Sequence, residues 1–366
     1  MIAEIPGCIS KPKLLELKEI DASLRQRLDS LSTRAYTHNI HCSDVDEGTQ
    51  PYRLCAAEQA ALNEEIAGCN ASIEDFNRKI EIAAGKKEVN IGGVPSLLDL
   101  DDGGVAAFSG MDIDFDGSSR AYNSDNSADA MDSLCNAGTV YLPNGSHYSG
   151  SKKGKCPDFM SDFKKINDAG WKHPSVGAIH WFGVLGEEEE TATINGKTID
   201  NVVPVLQKDG SGFYVSPTGL VDSQVKDLKD QNRYVNPLRV PFAVIPGALS
   251  KGFGVGTFGV AIDERHKIAV PFVVGDTGPK IGEGSVALSR LVAGKAVSDQ
   301  ITRNNRYVGL VGQGDPTSIL WVFFGGTATK YDHNNEDQLA ADAQMAFNRW
   351  GGKARLDTCF SAVPRN

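Results

Sequence analysis

The chain has no run of about 18 apolar residues, so nothing in it reads as a membrane span. It has no Lys/Arg-rich run, and its net charge is −10. Nucleic acid, which is held by cations laid along phosphates, is therefore not the expected partner. A polycationic ligand is favoured on the same balance. No C-x-x-C pair occurs, which argues against a zinc site. The opening MIAEIPGCISKPK lacks the basic-then-apolar order of a secretory signal. That leaves export by another route, a piece cut from something longer, or a chain that stays inside.

The cysteines favour export. There are seven, at positions 8, 42, 55, 69, 135, 156 and 359, a number that fits oxidised pairs with one thiol left over. The expected location is secreted, or in the periplasm or cell wall. The alternative is that all are small buried hydrophobes.

With 366 residues, of which 40% are hydrophobic and 23% charged, the chain can bury a sizeable core in one large domain or two smaller ones. Residues 1–87 form the first unit. Leu14, Leu17, Leu24, Leu28, Leu31 and Ala35 recur at three- and four-residue steps over 13–37, interrupted at Asp21. Leu62, Ile66, Cys69, Ile73, Phe76, Ile80 and Ala83 do the same over 56–84. Two antiparallel helices are predicted, with a loop over Tyr36–Tyr52 and a Cys42–Cys55 bridge at its mouth. Such a hairpin suits a stalk, cap or docking role. His38, His41 and Cys42 lack the spacing and the fourth ligand of a metal site.

From residue 88 to 366, Gly, Asp, Asn and Ser become frequent and short apolar runs replace the heptads. The alternation in Met111-Asp112-Ile113-Asp114-Phe115-Asp116-Gly117 predicts a strand with three carboxylates on one side. D-x-D-x-D-G also matches the first half of a calcium loop, so Asp112, Asp114 and Asp116 are candidate ligands of a structural calcium, although the twelfth position is Asn123 and not Glu. A polar cleft wall is the other reading. Cys135 and Cys156 bracket a long loop that a disulfide would tie down. A short helix over Phe159–Ile166 and a strand over Ser175–Val184 follow. His180 and Trp181 lie on that strand, as candidate substrate contacts or as core residues.

Residues 186–232 are polar and predict a surface insertion of hairpins. Val240–Ile245, Gly252–Ile262 and Ile319–Phe324 read as strands, and Asp337–Trp350 as a helix. The G-x-G-x-x-G at Gly254, Gly256 and Gly259 has no helix after it and no βαβ frame, which excludes the nucleotide reading. The expected class is α+β: a mostly β body, as a partly closed barrel or packed sheets, behind a helical hairpin.

Within the body, Ile268–Val292 concentrates the chemistry. An apolar strand, Ile268–Val274, runs into a turn cluster at Gly275–Pro279. Glu283 follows Asp276 by seven residues, between two glycines, and Ser285 can cap a short helix. Two carboxylates on one strand–turn–helix corner suit a cleft where one gives a proton and the other takes one. The structural alternative is an Asp that bonds its own backbone and a Glu that complements a helix dipole.

Four segments resemble the family 75 chitosanases, a glycoside hydrolase family, over roughly residues 105–326 with gaps. They are Met111–Gly117, Ser161–Lys165 with the strand reaching Phe182-Gly183, the G-D-T-G…G-E-G-S corner at Gly275–Ser285, and the late strand ending at Phe323–Gly325. The resemblance implies inverting cleavage by Asp276 and Glu283; Glu283 is expected as general acid and Asp276 as general base, with the swapped roles as the alternative. It puts Asp112, Asp114 and Asp116 along the cleft, and Thr277 beside Asp276 or the water. Phe115 stands where the family has Cys, and the Asp-to-Glu interval is shorter than in fungal members. The insertion and the hairpin have no counterpart in the short fungal enzymes.

The expectation is therefore a β-1,4 amino-sugar polymer hydrolase that needs no cofactor. Peptidoglycan is expected first, because the helical module and export-type cysteines suit a delivered cell-wall hydrolase with a secretion-apparatus or immunity-protein partner. Chitosan is the alternative, favoured by the acidic charge. A calcium-dependent, non-catalytic glycan-binding module is the third reading.

Overall fold

The computed structural model describes residues 11–42, 50–83, 98–100, 103–127, 129–307, 315 and 318–363. Helices α1 (Lys11–Cys42) and α2 (Gln50–Ala83) form an antiparallel pair. Cys69 Sγ lies 3.7 Å from the Leu24 carbonyl, Arg34 lies 3.6 Å from Glu65, and His38 Nε2 lies 2.9 Å from Glu58. The buried seam includes Leu31, Leu62 and Cys69. Both helices run further into the expected loop than predicted. No Gly or Pro breaks THNIHC at the end of α1, and Pro51 sits in the first turn of α2, where its missing N–H is tolerated. Cys55 is disulfide-bonded, while the Cys42 side chain expected to pair with it lies outside the described residues. Among the described residues, Cys69 is a free thiol.

The body is built on a curled, half-barrel sheet of eight strands. Its strands are β1 (Leu98–Asp99), β2 (Val105–Ser109), β3 (Asp112–Asp114), β9 (Phe242–Pro246), β10 (Phe258–Asp263), β11 (Ala269–Gly278), β12 (Glu283–Ser285) and β13 (Ile319–Gly325). Their order is β1-β2-β13-β10-β11-β9-β12-β3, with β11/β9 and β12/β3 parallel and the other pairs antiparallel.

Both faces of the central strands are covered. On one face Ala107, Phe272, Val274, Trp321 and Phe323 pack with Leu288 and Val292 of α5 (Val286–Val292). On the other, Val260, Ile262, Leu320 and Val322 pack with α6 (Asp337–Trp350) and α7 (Gly352–Ala362) through Phe347, Trp350 and Leu356. Burial on both faces explains the continuous apolar runs, which lack the alternation of a one-sided sheet. Helix α7 has no expectation behind it. The left-handed Gly351 (φ 125°) ends α6 and redirects the chain into it.

A smaller sheet, β5 (His147–Ser149), β4 (Gly138–Tyr141) and β6 (Ala178–Trp181), carries α3 (Cys156–Asp168) on a second core. The Cys135–Cys156 disulfide joins the start of α3 to the segment before β4. Strands β7 (Ala192–Ile194) and β8 (Lys197–Ile199) form the expected surface hairpin. Its turn, Asn195-Gly196, has φ 50° and 76°, the conformation that a two-residue hairpin loop needs. The short α4 (Ser250–Phe253) precedes β10. The rest of the expected insertion is not a surface appendage: Ser216, Thr218, Leu220 and Asp222 are buried, and the segment folds back onto β11, the Leu220 N–H donating to the Gly275 carbonyl at 2.7 Å.

Candidate active site

Strand β9 lies between β11 and β12, and both candidate carboxylates flank it. Asp276 pairs in register with Val244, while Gly284, next to Glu283, pairs with Ala243. Asp276 was expected in a turn. Instead β11 continues to Gly278, because residues 276–278 find a parallel partner in β9. The register shifts between Val274 and Asp276, where the Phe242 ring fills the space a Cβ on Gly275 would need. A bulge at that point re-aims the next side chain. Glu283 was also expected in a turn and lies on β12, opposite Asp112 of β3. Ser285 caps α5 as expected, its Oγ accepting the Leu288 N–H at 3.1 Å.

Glycine fixes the relation of the two acids. A Cβ on Gly278 would lie 3.5 Å from Glu283 Oε2, so the glutamate leans across β9 above Gly278. Asp276 is two residues back from Gly278 on the same strand, about 7 Å along the backbone of β11, and by strand alternation its side chain leaves the same face.

Asp276 is held rigidly. Its Oδ1 accepts the Gly219 N–H at 2.9 Å and the Thr277 N–H at 2.7 Å. Thr277 thus contributes its backbone, and its side chain is exposed. Burial pushes the Asp276 carboxyl up to about 6, against the two amides, which favour the anion. Burial also pushes Glu283 up to about 7, helped by Asp112 and Asp276 and opposed by Lys280. Desolvation therefore outweighs any pull of the α5 dipole toward the anion.

Asp114 and Asp116 complete the cluster. The Asp116 N–H donates to Asp114 Oδ1 at 2.8 Å. Asp116 Oδ1 accepts the Tyr122 hydroxyl at 2.9 Å and lies 3.0 Å from Ser216 Oγ. Burial first, then neighbouring carboxylates including Asp276 and Glu283, raises both groups well above the usual range. Asp112 is exposed and pairs with Lys280.

The three aspartates, candidate calcium ligands, are placed differently from one another. Strand β3 stops at Asp114, Asp116 enters a turn, and Asp112 is engaged by Lys280. Among the described residues, the group whose ligand atoms come close enough for one ion is Asp222, Asp332 and His333, within 4.8 Å of one another. There His333 Nδ1 lies 2.7 Å from Asp222 Oδ2.

Of the two readings of Trp181, substrate contact or core residue, its burial fits the core. It is 1% exposed, packs edge-on to Phe159 and Phe163, and donates Nε1–H to the Val202 carbonyl. His180 lies on β6 with Nδ1 3.1 Å from the Asp200 carbonyl oxygen. Neither joins the carboxylate cluster. The residues that do, and that the sequence did not single out, are Tyr122, Ser216, Gly219 and Gln231. Gln231 fixes the turn from behind, donating Nε2–H to the Gly117 and Ser216 carbonyls at 2.9 and 2.8 Å. The available signal was Ser216-Pro217-Thr218-Gly219, turn chemistry inside a polar stretch.

No protein-family model matches the chain, and no curated protein matches it. The resemblance to the family 75 chitosanases therefore stands on the motifs quoted above.

Proposed function

We propose that the protein is a glycoside hydrolase that cleaves β-1,4 bonds of an amino-sugar polymer with inversion. Glu283 gives its proton to the leaving glycosidic oxygen. Asp276 takes a proton from the water that attacks the anomeric carbon from the opposite face. The observation that carries this reading is the unequal pair flanking β9: Glu283 raised to about 7 by burial, and Asp276 to about 6 with two backbone amides donating to its Oδ1. At neutral pH the first holds a proton more readily than the second, which suits acid and base respectively.

Peptidoglycan is the first substrate, since a helical hairpin joined to a disulfide-bearing body suits a hydrolase delivered to a cell wall, with the hairpin as docking element for a delivery or inhibitory partner. Chitosan is the second. The gathering of Asp112, Asp114, Asp116, Asp276 and Glu283 favours a protonated amino sugar by charge.

Purified sacculi and chitosan digested side by side, with products identified by mass spectrometry, test both. Saccharide fragments from either polymer, absent with Glu283→Gln, support the reading. Intact polymers in both digests with well-folded protein contradict it.

A further inference from the structure

Phe182 stands one residue beyond the buried Trp181 and is 52% exposed, one of the few large apolar side chains so placed. Its backbone is fixed. The N–H groups of Phe182 and Gly183 both donate to the Ala137 carbonyl, at 3.0 and 3.2 Å. The Gly183 carbonyl lies 2.9 Å from Ser216 Oγ, which is itself 3.0 Å from Asp116 Oδ1. On its other side Gly183 abuts Tyr122: a Cβ there would lie 2.9 Å from the hydroxyl that donates to Asp116. The exposed ring is therefore carried on a segment tied, through one hydroxyl, to the carboxylate cluster.

Exposure of a phenyl ring on a rigid segment beside buried carboxylates has a specific use. A pyranose presents a face of C–H groups, and a flat aromatic ring covers that face while the hydroxyls stay in water. We infer that Phe182 is the floor of a sugar-binding subsite next to the Asp116 wall of the cleft, and that it stacks on one pyranose ring of the bound polymer. This rests on the glycan-cleaving function proposed above. In this role Phe182 is a positioning residue and takes no part in proton transfer.

The test uses the full chain with four side chains at position 182: Phe, Ala, Leu and Trp. The probes are soluble hexasaccharides of β-1,4-linked N-acetylglucosamine and of its de-N-acetylated form. Affinity is measured in a Glu283→Gln background, and kcat and KM in the parent. Phe182→Ala and Phe182→Leu should weaken binding and raise KM about five- to fiftyfold, with kcat within about twofold. Phe182→Trp should restore affinity to within about threefold. Met345→Ala, which removes an equally exposed apolar side chain from α6, should change nothing. Phe182→Leu keeps apolar bulk, so the comparison survives if Phe182→Ala folds poorly. Unchanged affinity and KM in Phe182→Leu overturn the subsite while leaving the hydrolase reading intact. A loss confined to kcat also overturns it. If the parent neither binds nor cleaves either oligosaccharide and also leaves sacculi and chitosan intact, the hydrolase reading fails and the subsite with it; if it cleaves either polymer yet binds neither oligosaccharide, the subsite alone is overturned.

Discussion

Asp132 and the β11–β12 cluster are both carboxylate sites inside the β body, and their surroundings differ in kind. Around Asp132, Arg306 pairs with Oδ1, the Ser133 N–H donates at 2.8 Å, and Asn136 donates at 3.0 Å. Arg303 adds a bond to the Asp132 carbonyl at 2.6 Å. Around Asp114, Asp116, Asp276 and Glu283 the neighbours are mostly other acids, and Lys280, the cation that acts on Glu283, is paired with Asp112. The first arrangement lowers the free energy of the folded chain by pairing its charges. The second raises it, because desolvated like charges are left to share protons. A fold that tolerates the second arrangement beside the first keeps groups that exchange protons near neutrality, which is what acid–base catalysis needs.

The largest expected break in this comparison is catalytic. Glu283→Gln and Asp276→Asn should each lower turnover of the amino-sugar polymer by about 10²–10⁴-fold, with less-than-additive effects in the double variant. Circular dichroism and thermal melts should show both folded. Arg306→Met should leave the chemistry in place but lower stability by about 2–4 kcal/mol in urea unfolding, since it strands a mostly buried Asp132.

Stability should move the other way at the acidic site. The folded pKa of Glu283, about 7, lies above its ordinary 4.5, so the folded chain holds a proton that the unfolded chain releases between those values. Stability therefore falls as pH rises through that window. At pH 8 Glu283→Gln should be more stable than the parent by about 1–3 kcal/mol, and near pH 4 the two should match. A variant that loses activity and gains stability would set this site apart from Asp132, where every substitution should destabilise.

A smaller effect tests the two cores. Opening Cys135–Cys156 with a double Ser variant should lower stability by about 2–4 kcal/mol, because the bridge closes a separation of 21 residues. The carboxylate pair belongs to the other sheet, so kcat measured well below the new melting temperature should stay within about twofold.

Much of the large sheet was legible in the sequence, because strands buried on both faces write themselves as unbroken apolar runs, as in Phe242–Pro246 and Ile319–Gly325. The Ser285 cap and its helix were legible for a local reason: donor and acceptor are three residues apart. The walls of the site were not. Ser216 meets Asp116 across 100 residues and Gly219 meets Asp276 across 57, and no local pattern reports such pairings. Trp181 and Phe182 show the limit at a single step. Both are aromatic at a strand end, and only the packing of α3 beneath β6 decides that the first is buried and the second exposed.

The most direct measurement is a carboxyl titration by carbon-13 NMR on the full chain, with Glu283→Gln and Asp276→Asn assigning the two resonances. Glu283 should titrate near pH 7 and Asp276 near pH 6, each midpoint shifting down when the other acid is replaced. Midpoints for both at about 4, the ordinary carboxylate range, and unmoved by either substitution, would contradict the claim that this face of the sheet holds an uncompensated acid–base pair.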